Sequence, residues 1–491
     1  MPDFSSFFRS PALAAMSSAA ATVLEDAANA EAQRIREIGQ RWEAYLGQHK
    51  NSLKVRPKEP NDNVRVNITG VIVDAGVDFL FGDDLDFEEE REQGDEQGSE
   101  DGADTPAEQW LNQVWDDSRR MTALQKLGIN GGYAGHAALK IQPREGAPAE
   151  EPPRLIVIDP ATFSAQWSED DIDFVESYRI TWNVVRDGKP AVRRQRHERT
   201  DAGQWEIIDE ISIGDSGRWL LIGQTPWPYT WSPIIDCQNL PNPNEYYGRP
   251  DLTDDVVEAN LAINGVLSDM RKSVRLHASP KLWGSGIGED SKLDVAPDEM
   301  IILPDKEAQI GTIEARHDPA AIELYARLKA ALHEQARVPE IASGKLDQIG
   351  QLSGLALQIL YGPLVRKTRT KRRTYGELIR DTNRRLIELR FGEKAAAGKT
   401  LVHWPEMLPS DPKADAETAL LDYEIGASKS TLLEKRGYDA DTEQKKRTEE
   451  DAASQDKLGQ GLLDAFARGG APTDAPAAPG TPAPRTMGQP G

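Results

Sequence analysis

Three stretches of this chain carry the residue types that do chemistry. The first is "GEKAAAGKT", Gly392 to Thr400, which holds the glycines, lysine and threonine of a phosphate-binding loop. Such a loop needs four residues between its first glycine and the Gly-Lys-Thr, so that successive amides curl around the phosphates. Here there are five, and the segment follows a helical pattern and precedes the short apolar "LVHW". A phosphate-binding loop leaves a strand and opens a helix, so nucleotide binding is not expected. The second, "GINGGYAG" from Gly128 to Gly135, lacks the dinucleotide fingerprint after a strand. Its glycines read as close packing where a helix turns into a strand. The third, Arg366 to Arg385, holds nine basic residues and two acidic. Arg366, Lys367, Arg369, Lys371, Arg372 and Arg373 are candidates for contact with DNA or with another subunit. The alternative is the solvated face of a helix whose core face is Leu355, Ile359, Leu364, Leu378 and Leu386.

Nothing else suggests catalysis. The seven histidines, His49, His136, His197, His277, His317, His333 and His403, are scattered, none at the spacing of a zinc-binding helix. Carboxylates are so abundant that no pair of them points to acid–base work. We therefore expect no catalytic residue, no cofactor and no metal.

The composition sets wider bounds. A chain of 491 residues, 38 % hydrophobic and 28 % charged, is ordinary for globular protein and long enough for two to four domains. The single cysteine, Cys237, excludes an internal disulfide framework, fits a reducing cytosol and is expected as a buried thiol. No apolar run approaches the roughly 20 residues of a bilayer span, and no signal pattern opens the chain, so neither secretion nor membrane insertion is expected. A net charge of -23 argues against a protein that coats DNA, whose binding is driven by Lys and Arg. The charge is uneven: Asp83 to Glu108 has thirteen acidic residues and one basic, and reads as a solvated loop.

The elements that position these residues follow from periodicity. Residues 12 to 45 read as Ala-rich helix, a second helix ends near Gly82, and another resumes at Trp110. From Leu155 to Pro233 the period drops to two, giving an antiparallel sheet with a hairpin turn at Asp187-Gly188. Leu252, Val256, Ile263, Val266, Met270 and Val274 then recur at helical spacing, making a rod of roughly 38 Å from Leu252 to Leu276. Asp251 is a candidate cap for it, with Arg271, Lys272 and Arg275 at its negative end. Short strands at "PKLWG", "EMIILP" and "QIGTIEA" follow. Asp318 and Pro319 open a second rod with the stripe Ile322, Tyr325, Leu328 and Leu332, ending at Val338-Pro339. A glycine-bearing loop, Pro339 to Leu352, leads into one very long helix from Ser353 to about Phe391. A helical block covers residues 414 to 468, and the Pro/Ala/Gly-rich end reads as disordered.

This order resembles the portal proteins of tailed bacteriophages, of the siphophage type. The residues that carry the likeness are "EYYGRPDLTDDVVEANLAINGVLSDMRKSV" through "SPKLWGSG", then "RVPEIASGKLDQIGQLSGLALQILYGPLVRKTRTKRRTYGELI", then "LLDYEIGASKSTLLEKRGYDADTEQKKRTEED". "VIVDAGVDFLFGDD" is similar to the family's early wing helix. The resemblance implies an α+β, multi-domain fold. A wing region of helices and antiparallel sheet would cover 1–250, including the acidic loop 83–108. Stem helices would span 251–276 and 319–338, flanking a small β-containing clip at 277–318. A tunnel loop at 339–352 would precede a long wing helix and return at 353–408, a helical crown at 409–468 and a disordered tail at 469–491.

The function implied is that of a non-enzymatic ring, commonly of twelve subunits, at one vertex of the head. It would pass double-stranded DNA without sequence preference during packaging and ejection. The partners implied are further copies of itself, the terminase large subunit, the major capsid and scaffold proteins and a head–tail adaptor. The ring would assemble in the host cytoplasm and remain in the virion at the portal vertex. Ser343, Gly344, Lys345, Gln348 and Gly350 would form the tunnel loop beside the DNA, and Arg271, Lys272 and Arg275 would belong to the stem. The competing reading is a DNA-processing enzyme, the motor ATPase of the same machinery. Sustained ATP hydrolysis that is lost on changing Lys399 distinguishes that enzyme from a portal.

Overall fold

The computed structural model describes residues 29–89, 105–144, 146, 151–213, 218–277, 281–285, 309–313, 319–340, 354–398, 400–408, 412–434 and 443–448. The chain divides into two compact units, Met1–Leu408 and Pro409–Gly491.

The first unit opens with helix α1 (29–45) and α2 (Ile68–Phe81), the latter started by Asn67, whose side chain accepts from the Gly70 amide. Strand β1 (Asp86–Glu89) follows. Helices α3 (Pro106–Asp117) and α4 (Arg120–Ala134) are separated at Arg119, which takes a left-handed conformation with φ of 59°. The expected single helix after Trp110 is thus two. Within the acidic stretch, Asp86–Glu89 form β1, and a capping box, Thr105 with Glu108, starts α3. Residues 90–104 lie outside the described residues.

Gly135 ends α4 at φ +84°, a conformation that favours glycine, and the chain turns directly into β2 (His136–Gln142). Strand β2 is the centre of a three-stranded antiparallel sheet, with β3 (Arg154–Ile158) on one side and β9 (Ile234–Gln238) on the other. Between them, β4 (Phe163–Trp167), β5 (Val175–Arg186), β6 (Lys189–Arg199), β7 (Trp205–Ile213) and β8 (Leu220–Trp227) form an antiparallel meander in that order. Asp187 and Gly188 both have positive φ, 53° and 72°, which matches the right-handed twist of the hairpin they close.

Helix α5 (Asp254–His277) follows, then β10 (Lys281–Ser285) paired antiparallel with β11 (Gln309–Ile313), then α6 (Pro319–Ala336). The expected strand at "EMIILP" lies outside the described residues. Helix α7 (Gly354–Phe391) runs for 38 residues and contains Pro363. A short turn of 3-10 helix returns the chain to β12 (Thr400–His403), which pairs with β1.

Two cores hold the unit together. In one, Trp110 and Trp115 of α3, Leu124 and Leu127 of α4, and Tyr375, Leu378, Ile379, Leu386 and Ile387 of α7 meet the inner faces of both larger sheets. The two indole N–H groups are satisfied there: Trp110 donates to the Leu386 carbonyl and Trp115 to Asn383. In the other core, α2 packs with Leu252, Val256 and Ile263 around the start of α5, Leu332 and Ala336 of α6, and Leu364 of α7.

The second unit contains α8 (Pro412–Ile425), α9 (Lys429–Glu434) and the short helix α10 (443–448). Ser428 caps α9 by accepting from the Thr431 amide.

Candidate functional site

The feature with functional shape is a pair of rods rooted in the first unit. Helices α5 and α6 pack on one another. Their roots are buried, with Leu252 and Leu332 at 0 % exposure, while residues 271–276 at the far end of α5 are all exposed.

The root of α5 is aimed by polar groups. Asp236 of β9 is a hub: its carboxylate accepts from His136 Nε2 at 2.6 Å, from the Tyr178 hydroxyl at 2.7 Å and from Tyr246. Burial alone would push this carboxyl up, but those hydrogen bonds and the imidazole hold it below the usual carboxylate range. Tyr246 belongs to the turn that feeds α5. Gln238 grips the same turn, donating to the carbonyls of Glu245 at 2.8 Å and Tyr246 at 3.0 Å. The hub borders a pocket of about 470 Å³. Its arrangement is that of a brace between β2, β5, β9 and the turn. Among the described residues no cluster of His, Cys, Asp and Glu is placed to hold a metal ion.

Asp251 does not cap α5, which begins three residues later. Its carboxylate is fully buried and is gripped by two lysines of α7, Lys367 at 2.7 Å and Lys371 at 2.5 Å, themselves 6 % and 2 % exposed. Burial pushes the Asp251 carboxyl up, but the two ammonium groups overcome it and hold it below the usual range. Burial likewise lowers the Lys371 ammonium. Lys367 also donates to the Ala336 carbonyl at the end of α6, at 3.0 Å. One carboxylate and two ammoniums therefore tie both rods to α7. The Asp251 and Leu252 amides donate to the Gly132 carbonyl of α4. At neighbouring Gly131 a Cβ would lie 1.9 Å from the Tyr375 hydroxyl, so only glycine lets α4 approach α7 this closely. The "GINGGYAG" glycines are thus packing residues, as their spacing suggested.

Along the buried face of α5, Asn260, Asn264 and Ser268 stand four residues apart and take the backbone of residues 64–68. They accept from the amides of Ile68 at 3.0 Å, Val66 at 2.8 Å and Val64 at 2.9 Å respectively. A helix here acts as the pairing partner of an extended segment, which satisfies amides that would otherwise be buried alone. The apolar stripe read from the sequence is accordingly buried at Leu252, Val256 and Ile263, half-buried at Val266 and Met270, and 60 % exposed at Val274. The Asn-x3-Asn-x3-Ser spacing was the available signal for this ladder.

The predicted site residues separate into groups. Arg275 is bound to Asp62, through Nε at 2.8 Å and Nη2 at 2.5 Å, and so straps the rod to the preceding segment. Arg271 and Lys272 are exposed on the same turn. Of the basic run, Lys367 and Lys371 are buried on Asp251, which corrects their assignment as DNA or subunit contacts. Arg372 is half-buried over the Trp404 ring. Arg366, Arg369 and Arg373 are exposed. Ile359, expected in the core, is 71 % exposed, whereas Leu364, Leu378 and Leu386 are buried as expected. Ser343, Gly344, Lys345, Gln348 and Gly350 lie outside the described residues. Gly392 ends α7 at φ +88°, so "GEKAAAGKT" runs from a helix to strand β12, the reverse of a phosphate-binding loop.

Along the chain the two rods stand on either side of the β10–β11 pair, and the long α7 follows. The sequence model of the family described as "Phage portal protein, SPP1 Gp6-like" matches residues 24–457. The chain belongs to this family. No curated protein matches it. A phage portal protein is a virion component of the capsid, and members of the family are generally structural rather than enzymatic. In this portal protein no described helix is long and apolar enough to cross a membrane.

Proposed function

We propose that the protein forms a ring at one capsid vertex and that the ring is the channel for double-stranded DNA during packaging and ejection. It also docks the DNA-packaging ATPase and, later, the head–tail adaptor, having assembled with capsid and scaffold proteins in the host cytoplasm. The observation that supports this most is the family match over residues 24–457, together with a rod pair buried at one end and exposed at the other. In this reading α5 and α6 are the stem, the β10–β11 pair belongs to the clip, α7 is the long wing helix, and α8 to α10 belong to the crown. Residues 339–352, between α6 and α7, are the tunnel loop.

The physics of a sliding channel suits a chain of net charge -23. An acidic lumen repels phosphate, while a few rings of basic side chains give weak contacts that salt screens. Lys345 is the residue we assign to such a ring, since rotational symmetry repeats it once per subunit. Gly344 and Gly350 are the residue type that permits the backbone bends such a loop needs. Lys345→Glu should leave rings assembled and reduce packaged or retained DNA, with a larger effect at low salt. Unchanged packaging by Lys345→Glu rings across salt concentrations refutes the loop assignment.

A further inference from the structure

We infer that the exposed face of α7 bearing Ile359, Arg366, Arg369 and Arg373 docks against the acidic face of α5 on a neighbouring copy of the chain, at Asp255 and Glu258. This rests on the ring reading above and specifies which surfaces join in it.

Helical geometry defines both faces. Residues 359, 366, 369 and 373 fall on one stripe of α7, diametrically opposite the stripe of Leu364, Lys371, Tyr375 and Leu378 that is buried in the unit. Each of the three arginines is exposed, and none has an ion-pair partner among the described residues. They repel one another and their neighbour: burial and the adjacent Arg369 together depress the Arg372 guanidinium. Ile359 extends the stripe by two turns and is 71 % exposed. An isoleucine at the head of an arginine stripe suits a protein surface, since a phosphate backbone offers no apolar counterpart.

The complementary surface is on α5. Asp255, Glu258, Ala262 and Asp269 share the face opposite buried Val256 and Ile263 and half-buried Leu267, and all four are exposed. Asp254 beside them is already taken by Arg41 at 3.0 Å, and Arg41 also meets Glu37, so the local positive charge is spent. Asp255 and Glu258 have no ion-pair partner among the described residues. The two helices belong to one compact unit, with Asp251 joining the residues just before α5 to Lys367 and Lys371 of α7. One copy therefore presents both a basic helix face and an acidic helix face. Neither face meets its counter-charge among the described residues of its own copy, and a head-to-tail contact repeated around an axis would pair both in every copy.

The test is a charge exchange. Variant A carries Arg366→Glu, Arg369→Glu and Arg373→Glu, so both faces are acidic. Variant B carries Asp255→Arg and Glu258→Arg, so both are basic. Native mass spectrometry of the purified full chain should show rings for the wild type and at least a tenfold loss of rings for A alone and for B alone. Mixing A with B should restore rings, because copies that alternate put unlike charges at every joint. Equal thermal unfolding temperatures for the three proteins exclude misfolding as the cause. Rings from A alone overturn the pairing, and if those rings fail to retain DNA the stripe faces phosphate instead. Loss of rings in both variants without rescue on mixing also overturns it. A wild type that stays monomeric removes the ring reading itself, whereas wild-type rings with unaffected variants remove the pairing alone.

Discussion

Asp251→Asn should be the most destabilising single polar substitution in the stem root. The carboxylate is 0 % exposed and faces two ammonium groups that are 6 % and 2 % exposed, so the triad carries one excess positive charge in the interior. Removing the carboxylate leaves two buried cations uncompensated. Breaking a buried pair by deleting one partner costs about 3–5 kcal/mol. That is a large part of a total stability of about 5–15 kcal/mol. Lys371→Met goes the other way in charge: it leaves one ammonium on one carboxylate, and should stay within about 1 kcal/mol of the wild type. Lys367→Met should fall between, because it also strips the donor from the Ala336 carbonyl, a loss of about 1–3 kcal/mol. Acid dependence follows from the same groups. The folded Asp251 carboxyl titrates below its unfolded value, so its contribution is complete above the unfolded value and is lost as pH falls through the folded one. Urea titrations followed by far-ultraviolet circular dichroism, from pH 7 down to pH 3, measure both effects. An Asp251→Asn protein within about 1 kcal/mol of the wild type at pH 7, or a Lys371→Met protein as unstable as Asp251→Asn, refutes the reasoning.

Gly131→Ala should cost about 1–3 kcal/mol, because its Cβ would meet the Tyr375 hydroxyl, and Tyr375→Phe in the same chain should recover part of the loss in the same urea titration. Lys140 is buried between the sheets with Gln195, and burial lowers its ammonium to about 8. Because the unfolded chain then binds more protons, stability should rise by about 2–3 kcal/mol between pH 8 and pH 10. Lys140→Met should abolish that rise, and an unchanged slope in the variant contradicts the assignment. His197, fully buried and lowered to about 3, should show no NMR titration between pH 5 and pH 8.

How much of this could be read in advance depended on sequence distance. The rods α5 and α6, the long α7 and the Asp187-Gly188 hairpin follow from local period and turn chemistry, and their bounds were legible to within a few residues. The buried lysines were legible only in part. Leu364, Lys367, Lys371, Tyr375 and Leu378 recur every three or four residues, so the period itself put both lysines on the core face. Their counter-ion, however, is 120 residues from Lys371 and was read as a helix cap. Strands β1 and β12 are joined across more than 300 residues, and no local pattern announces that pairing. In the acidic stretch, the capping signature at Thr105, Pro106 and Glu108 was present but outweighed by charge. The ladder of Asn260, Asn264 and Ser268 left only its four-residue spacing in the sequence, because its partners are the backbone amides of Ile68, Val66 and Val64, about 200 residues away.

The central claim is that this chain builds a closed ring around a DNA channel. Native mass spectrometry of the purified wild type, with particle images of the same sample, tests it most directly. The account predicts a single closed assembly of about twelve copies of the 54.2 kDa chain, roughly 650 kDa, seen end-on as a ring with an axial hole and side-on with a narrow protruding stem. A 54.2 kDa monomer with sustained ATP hydrolysis would contradict it.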